Sequence, residues 1–396
     1  MYEIIFCNLK STISEYQMLP HETRKYFPFL NKGKIYFNHA AVSPLSSFVT
    51  KKIEKYLLQR SEGEIEDYQT LLAESTEVKN KLARLINTSA GRIAFVDNTS
   101  NGLNILAQGL QWKKGDRIIL NDIEFPSNVY PFLNLQQLGV EIDFVKSENG
   151  KVTVENILKA ITPSTKLLSI SFVQFLSGYK ADLEELGKIC KEKNIIFAVD
   201  AIQGLGALQL DVKKCNVDFF SCGTQKWLMA IMGLAFIYLS GEIQNLISPK
   251  YVGWLSVENA WDILHYDLKL KHDATVFQTG TINAIGVNGL NASLELFESV
   301  GFAQIEETIL NNTEYFMEKL SSIGFVPLLS GVERKYLSGI VTFKHERANE
   351  IFEKLMSKKI HGSLREGMIR FSPHFYNTRS EIDHVVETLK KSFTVL

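Results

Sequence analysis

The sequence has little of what marks several large classes of protein. Its 396 residues include four cysteines, Cys7, Cys190, Cys215 and Cys222, and no two stand in a CxxC pair. That argues against a disulfide framework and a zinc knuckle, and scattered thiols suit a reducing cytoplasm. Neither sign of charge is in excess: 43 Lys and Arg stand against 44 Asp and Glu, a formal net charge of -1. No basic surplus advertises nucleic acid and no acidic tail a solvating segment, so a small substrate is expected. Long apolar runs are missing. The longest, Trp227–Leu239, has 13 residues, short of the roughly 20 that a spanning helix needs, and reads as a buried turn and strand. The start, "MYEIIFCNLKSTISEYQ", lacks a basic region and a long apolar core, so no signal peptide is expected. The eight histidines form no HxxxH or HxH pair, which leaves a metal hydrolase without ligand spacing. No internal repeat or low-complexity tract is present.

What is there is an ordinary globular composition, 45% hydrophobic and 22% charged, in a chain long enough for about two or three domains. From residue 74 helix and strand patterns alternate. "ESTEVKNKLARLI" has helical spacing and "RIAFVDN" is a short strand. "TSNGLNILAQGL" is a helix, "DRIILND" a strand, "YPFLNLQQLG" a helix, "EIDFVKS" a strand and "TVENILKAI" a helix. "TKLLSISFVQ" is a strand, "ADLEELGKICKEKN" a helix and "IIFAVDA" a strand; "VDFFSCG" and "LAFIYLS" close the series. Such alternation predicts an α/β fold with a mostly parallel, helix-covered sheet. After residue 285 a long helix precedes strand, helix, strand, helix, which suggests a smaller α+β domain. The expected division is residues 31–284 for the large domain and 285–396 for the small one, with residues 1–30 packing near the latter.

In an open parallel sheet the ligand belongs at the carboxyl ends of the strands. After "RIAFVDN" come Thr99 and Ser100, opening a helix whose N-terminus suits phosphate, although a plain N-cap explains them equally. Phe125 follows "DRIILND" and offers a face for a ring, or is a core aromatic. Gln174 follows "LLSISFV". Asp200 follows five apolar residues, a costly place for an acid without a partner or a task, and Gln203 comes three residues on. Gln225 and Lys226 follow "VDFFSCGT", and Lys226 interrupts an otherwise apolar stretch. Together these offer a phosphate cradle, an aromatic face, a carboxylate, amides and a buried amine. Pyridoxal phosphate needs that set: an amine for its aldehyde, and a carboxylate to keep its ring nitrogen protonated. Desolvation lowers an amine's pKa and makes it nucleophilic. Lys226 would then form the Schiff base.

Three stretches, "AVDAIQGLGALQLDVKKCNVDFFSCGTQKWL", "RFSPHFYNTRSEID" and "FQTGTINAIGVNGLNASLELF", make the chain resemble the class V aminotransferases, fold type I pyridoxal-phosphate enzymes that include cysteine desulfurases and isopenicillin N epimerase. The likeness runs from "IYFNHAAVSPLS" to the C-terminal helix. It implies a seven-stranded sheet between helices plus the smaller C-terminal domain. Lys226 would hold the cofactor and act as acid and base at the substrate α-carbon. Asp200 would pair with the pyridinium, with Gln203 and Gln174 near the phenolic oxygen. Thr99, Ser100 and Gln225 would bind phosphate, and Phe125 would stack on the ring. Gly280 and Thr281 would reach the neighbouring subunit's phosphate across a homodimer interface. Arg370 would grip the substrate carboxylate, and Asn38 and His39 would line the substrate mouth. No metal is implied.

One departure concerns the desulfurases. Their mobile loop carries a sulfur-accepting cysteine, whereas "SKKIHGSLREGMIR" has none and no cysteine lies between residues 223 and 396. A persulfide-forming enzyme is disfavoured, while a lyase that releases sulfide stays open. The leading expectation is a cytoplasmic, homodimeric aminotransferase acting on an amino acid. An epimerase, with His39 as a second acid or base, and a C–S or β-eliminating lyase are alternatives. Further off is a non-catalytic binding protein on the same scaffold.

Overall fold

The structure is a computed structural model and describes residues 17–63, 65 and 68–393. A seven-stranded sheet organises the larger part. Its strands are β2 (Ile93–Val96), β3 (Arg117–Asn121), β4 (Glu141–Val145), β5 (Thr165–Ser171), β6 (Ile196–Asp200), β7 (Phe219–Gly223) and β8 (Ala235–Leu239), in spatial order β2-β8-β7-β6-β5-β3-β4. All neighbouring pairs are parallel except those made by β8, which runs antiparallel to both β2 and β7. Helical turns or helices join β2 through β6 in succession; β6 reaches β7 through turns over residues 201–218, and β7 returns to β8 through residues 224–234 without a helix. That short return is the segment that carries Lys226.

The strands read as continuous apolar runs because both faces of the sheet are buried. Alternate residues serve two cores: Ile118 and Leu120 of β3 enter one cluster and Ile119 the other, as Phe219 and Phe220 of β7 divide. The covering helices are capped locally. Asn98 accepts from the backbone N–H of Asn101 at the start of α3 (Thr99–Gly109), and Asp182 from Glu185 at the start of α6 (Leu183–Glu192). The helix expected over 130–139 divides into one turn of α-helix, Tyr130–Leu133, and a 3-10 turn, Asn134–Leu138. Phe132 and Leu135, three apart, both face the core, and a 3-10 turn places i and i+3 on one side.

The long helix expected after residue 285 is two, α8 (Ala284–Val300) and α9 (Phe302–Ser322). Gly301 breaks it at φ 88, a backbone angle that side chains rarely adopt. α8 packs on α1 (Ser47–Glu62) and α2 (Tyr68–Leu85). A second, three-stranded antiparallel sheet has the order β11 (Ser363–Arg365), β12 (Met368–Phe371), β9 (Val341–Lys344). α9, α10 (Ala348–Ser357) and α11 (Arg379–Phe393) share its core with Phe37. A two-residue strand, β1 (Ile35–Tyr36), pairs parallel with β10 (Ile360–His361). Of the N-terminal segment expected beside the smaller domain, residues 1–16 lie outside the described residues. Further on, Arg24 pairs with Glu381 at 2.9 Å and Phe27 stacks on Tyr376.

The opening of α3 lies tight against β7. A Cβ on Gly102 would come 2.2 Å from Ser221 Oγ and 2.7 Å from Ile237. Gly102→Ala is therefore expected to push the helix N-terminus off the sheet and to destabilise the protein by about 1–3 kcal/mol, the usual cost of overpacking. Thermal or urea unfolding reads it; an unchanged midpoint would mean that the helix slides without cost.

Candidate active site

Asp200 is the last residue of β6 and is 1% exposed. Its side chain accepts one hydrogen bond, from the backbone N–H of Ile202 at 3.0 Å. Burial pushes its pKa up to about 7; the Ile202 N–H opposes this, the nearby Glu124 carboxyl adds to it, and Lys226 lowers it. Lys226 shows the converse. Burial brings its ammonium down to about 8, against the pull of Asp200 and with Arg370 and Arg365 adding to the fall. Among the described residues no ion pair joins the two. A buried acid and a half-buried amine held this way lack the counterions that normally make burial tolerable.

The lysine loop is held by its backbone. Thr224 Oγ1 donates to the carbonyls of Ile231 and Leu234, and Ser43 Oγ donates to the Lys226 carbonyl at 2.6 Å. The strap leaves the Lys226 side chain free to reach Phe125, whose ring centroid lies 5.5 Å from Nζ. Phe125 is partly exposed and meets Phe175 edge-on at 5.4 Å.

At the head of α3, Thr99 is buried and its Oγ1 has no hydrogen-bond partner. A Cβ on Gly223 would fall 2.7 Å from Gln225 Oε1 and 3.2 Å from Thr99 Oγ1. A bare backbone position thus lies beside the Gln225 amide and the Thr99 hydroxyl, a hollow that one methyl group would fill. Ser100 Oγ donates to Ser127 Oγ at 3.0 Å. Gln174 is fully buried; its Nε2 donates to Glu124 at 3.0 Å and its Oε1 has no partner. Gln203 accepts from the Trp227 indole N–H at 3.0 Å and donates to the Ala40 carbonyl at 2.9 Å.

Arg370 on β12 is 2% exposed. Its Nη1 donates to the Phe175 carbonyl at 2.6 Å and its Nε to Ser363 Oγ at 3.2 Å. Burial, with Arg365 beside it, lowers its pKa to about 10. Asn38 bridges to Ser372, and its Oδ1 is buried without a partner.

Two groups of expected residues do not gather here. His39 is fully buried, with Nδ1 donating to the Ser372 carbonyl at 2.7 Å and Nε2 accepting from Tyr376 at 2.8 Å. Burial holds its pKa down to about 3, and both ring nitrogens are already engaged by these two partners. Gly280 and Thr281 line a separate cavity of about 310 Å³ with Asp97 and Tyr251.

Glu124, hydrogen-bonded to Gln174, and Arg365, in the hairpin of Arg370, lie beside the expected residues and were not singled out by the sequence reading. Glu124 is buried and accepts from Asn121 at 2.5 Å, from the Ser171 N–H at 2.8 Å and from the Ser171 hydroxyl. The signal was available: it is an acid three residues past the carboxyl end of β3, in the region where Asp200 ends β6. Arg365 could have been found from the alternation of its hairpin.

The Asp200 shift has a direct consequence. Between its ordinary value of 3.8 and about 7, the folded chain holds a proton that the unfolded chain has lost, so stability falls as pH rises through that window. In cofactor-free protein, Asp200→Asn is expected to melt with wild type near pH 4 and above it at pH 8, by about 2–4 kcal/mol. Coincident melts at pH 8 would mean that the carboxylate has a partner.

Comparison with known proteins agrees with this arrangement. The family profile described as Aminotransferase class-V matches residues 35–385. A probable cysteine desulfurase of Methanothermobacter thermautotrophicus is 28% identical, over 94% of this chain and 98% of the relative. An uncharacterized aminotransferase of Bacillus subtilis, YcbU, is 27% identical, over 94% and 97%. The apo structure of a cysteine desulfurase from Thermococcus onnurineus NA1 superposes with a TM-score of 0.85 at 25% identity, covering 94% of this chain and 98% of that one. With one profile spanning nearly its whole length, the chain belongs to the class V aminotransferase family.

Proposed function

We propose that this protein is a pyridoxal-phosphate-dependent enzyme acting on an amino acid, and that its reaction is transamination. The observation that carries the reading is a buried Asp200 and a half-buried Lys226, with no ion pair between them, at the carboxyl end of one sheet. The residues fit the cofactor. Thr99 Oγ1 is an orphaned donor at a helix N-terminus beside the Gly223 hollow, where a phosphate would be held with Ser100 and Gln225. Asp200 lacks a cation, which a protonated ring nitrogen would supply. Phe125 would cover the ring, and Gln203 and Gln174 would lie along its oxygen edge.

When bound, pyridoxal phosphate supplies an aldehyde for amine exchange and a protonated ring that withdraws electrons from the substrate's α-carbon. Lys226 Nζ is the amine that would hold that aldehyde. With its pKa lowered to about 8, Nζ then has the basicity to take the α-proton near neutral pH and return it. Arg370 receives the α-carboxylate and fixes which bond at the α-carbon faces Nζ.

A carbon–sulfur lyase is the second reading, favoured by the relatives described as cysteine desulfurases. The chain has no cysteine between residues 223 and 396 to accept sulfur, so such a lyase would release it into solution. Gly280 and Thr281, which line a cavity with Asp97, fit a homodimer in which each copy completes the other's phosphate site. The unpaired Cys190, Cys215 and Cys222 suit the cytoplasm, and among the described residues no helix is long and apolar enough to cross a membrane.

Lys226→Ala is expected to abolish turnover, and retained activity would remove the assignment. Arg370→Ala is expected to raise KM for amino acids by a factor equivalent to about 2–5 kcal/mol while the cofactor stays bound. Absorbance of the bound cofactor, followed while amino acids and then keto acids are added, separates the reactions. Reversible conversion supports transamination; accumulating sulfide with the band unchanged supports the lyase.

A further inference from the structure

Arg370 is not the only cation at this end of the sheet. β11 and β12 form a two-residue hairpin whose connecting residues, Glu366 and Gly367, both have positive φ, 47 and 71. Such a turn fixes the register of the strands it joins. In that register Ser363 lies opposite Arg370 and Arg365 opposite Met368. Ser363 Oγ meets Arg370 Nε, so these two side chains share a face. Arg365, two residues along from Ser363, shares it as well. It is the diagonal neighbour of Arg370, a spacing of about 7–8 Å between the backbones. Like charges set this close on one face destabilise a hairpin. Among the described residues neither arginine makes an ion pair.

Both arginines also act on Lys226. Lys226 Nζ lies 5.5 Å from the Phe125 ring centroid, Arg370 Nη1 donates to the Phe175 carbonyl, and the hairpin register sets Arg365 on the same face as Arg370. The α-carboxylate of an amino acid answers one guanidinium. The phosphate cradle at Thr99 and Gly223 is a different part of the site. One guanidinium is left over, and it is the exposed one at the hairpin tip, where the far end of a bound amino acid would lie.

We propose that Arg365 is a specificity-determining residue and that the substrate carries a second anionic group on its side chain, a carboxylate or a sulfur oxyacid, received by Arg365 while Arg370 takes the α-carboxylate. The proposal rests on the amino-acid reading above and narrows it to the acidic members of the class. Phe175, edge-on to Phe125 at 5.4 Å, then flanks the substrate's short carbon chain between the two charged ends.

The test uses the holoenzyme. Calorimetry with succinate and with butyrate measures binding without turnover. Succinate is expected to bind at least about tenfold more tightly, with the advantage lost in Arg365→Ala and partly kept in Arg365→Lys. In turnover, the kcat/KM ratio of aspartate or cysteine sulfinate to alanine is expected to collapse toward one in Arg365→Ala, whereas Arg370→Ala lowers all three. Equal binding of the two acids by wild type, or an acidic-to-neutral ratio untouched in Arg365→Ala, would overturn the proposal and leave the amino-acid reading standing. If no amino acid perturbs the bound cofactor's spectrum, that reading falls and the proposal with it.

Discussion

The rest of this structure depends on keeping charge out of water without neutralising it inside the fold. Asp200 and Lys226 lie at the ends of adjacent segments of one sheet, each short of a counterion, each with its pKa moved toward neutrality by burial. An isolated buried charge costs several kcal/mol, and a direct ion pair between the two would recover much of it. The fold withholds that pair. Asp200 instead has the Ile202 N–H, and Lys226 Nζ lies over the Phe125 ring. In a site of this kind the destabilised apo state and the affinity for a ligand have one cause.

The lysine loop shows how topology serves that constraint. Six strands are parallel, and β8 is reversed. Reversal makes the β7-to-β8 link short enough to stay at the carboxyl end of the sheet, where the loop is fixed through its backbone by Thr224 and Ser43 and its side chain stays available. Around it runs a network of neutral polar groups. His374 Nε2 donates to the Trp227 carbonyl, the Trp227 indole donates to Gln203, and Gln203 donates to Ala40, next to His39 and its bond to Tyr376. These contacts connect the N-terminal segment and the chain beyond β12 to the lysine. They are uncharged, because burial holds both histidines well below their ordinary pKa. A fully satisfied buried network of this sort rigidifies the position it surrounds.

The strands of the large sheet were legible because each is a short apolar run bounded by turn residues. Asp200 and Lys226 were legible because an ionisable side chain in such a run has no cheap explanation. Thr99 stood out as the first residue of a helix after a strand. His39 did not follow from the same logic. Its neighbours in "FNHAA" suggest a loop, but the β1–β10 pairing and the Asn38–Ser372 bridge draw the segment inward, and the ring is consumed by contacts 333 and 337 residues away in sequence. Glu124 was overlooked because Phe125 beside it took the attention, although it follows the carboxyl end of β3 in the same sheet whose β6 ends on Asp200.

By itself the sequence determined the alternating βαβ plan, the apolar strands and the residue types at their ends. These follow from local periodicity and from the cost of placing an ionisable group in an apolar run, both readable from near neighbours. Only the tertiary structure decided which of those ends face one another. It reversed β8, broke one expected helix at Gly301, turned His39 inward, brought Glu124 to within the field of Asp200, and set Arg365 beside Arg370. Those outcomes depend on strand order, hairpin register and backbone angles at single residues. Contacts between residues hundreds of positions apart are set by how the whole chain packs, and no local pattern in the sequence carries them.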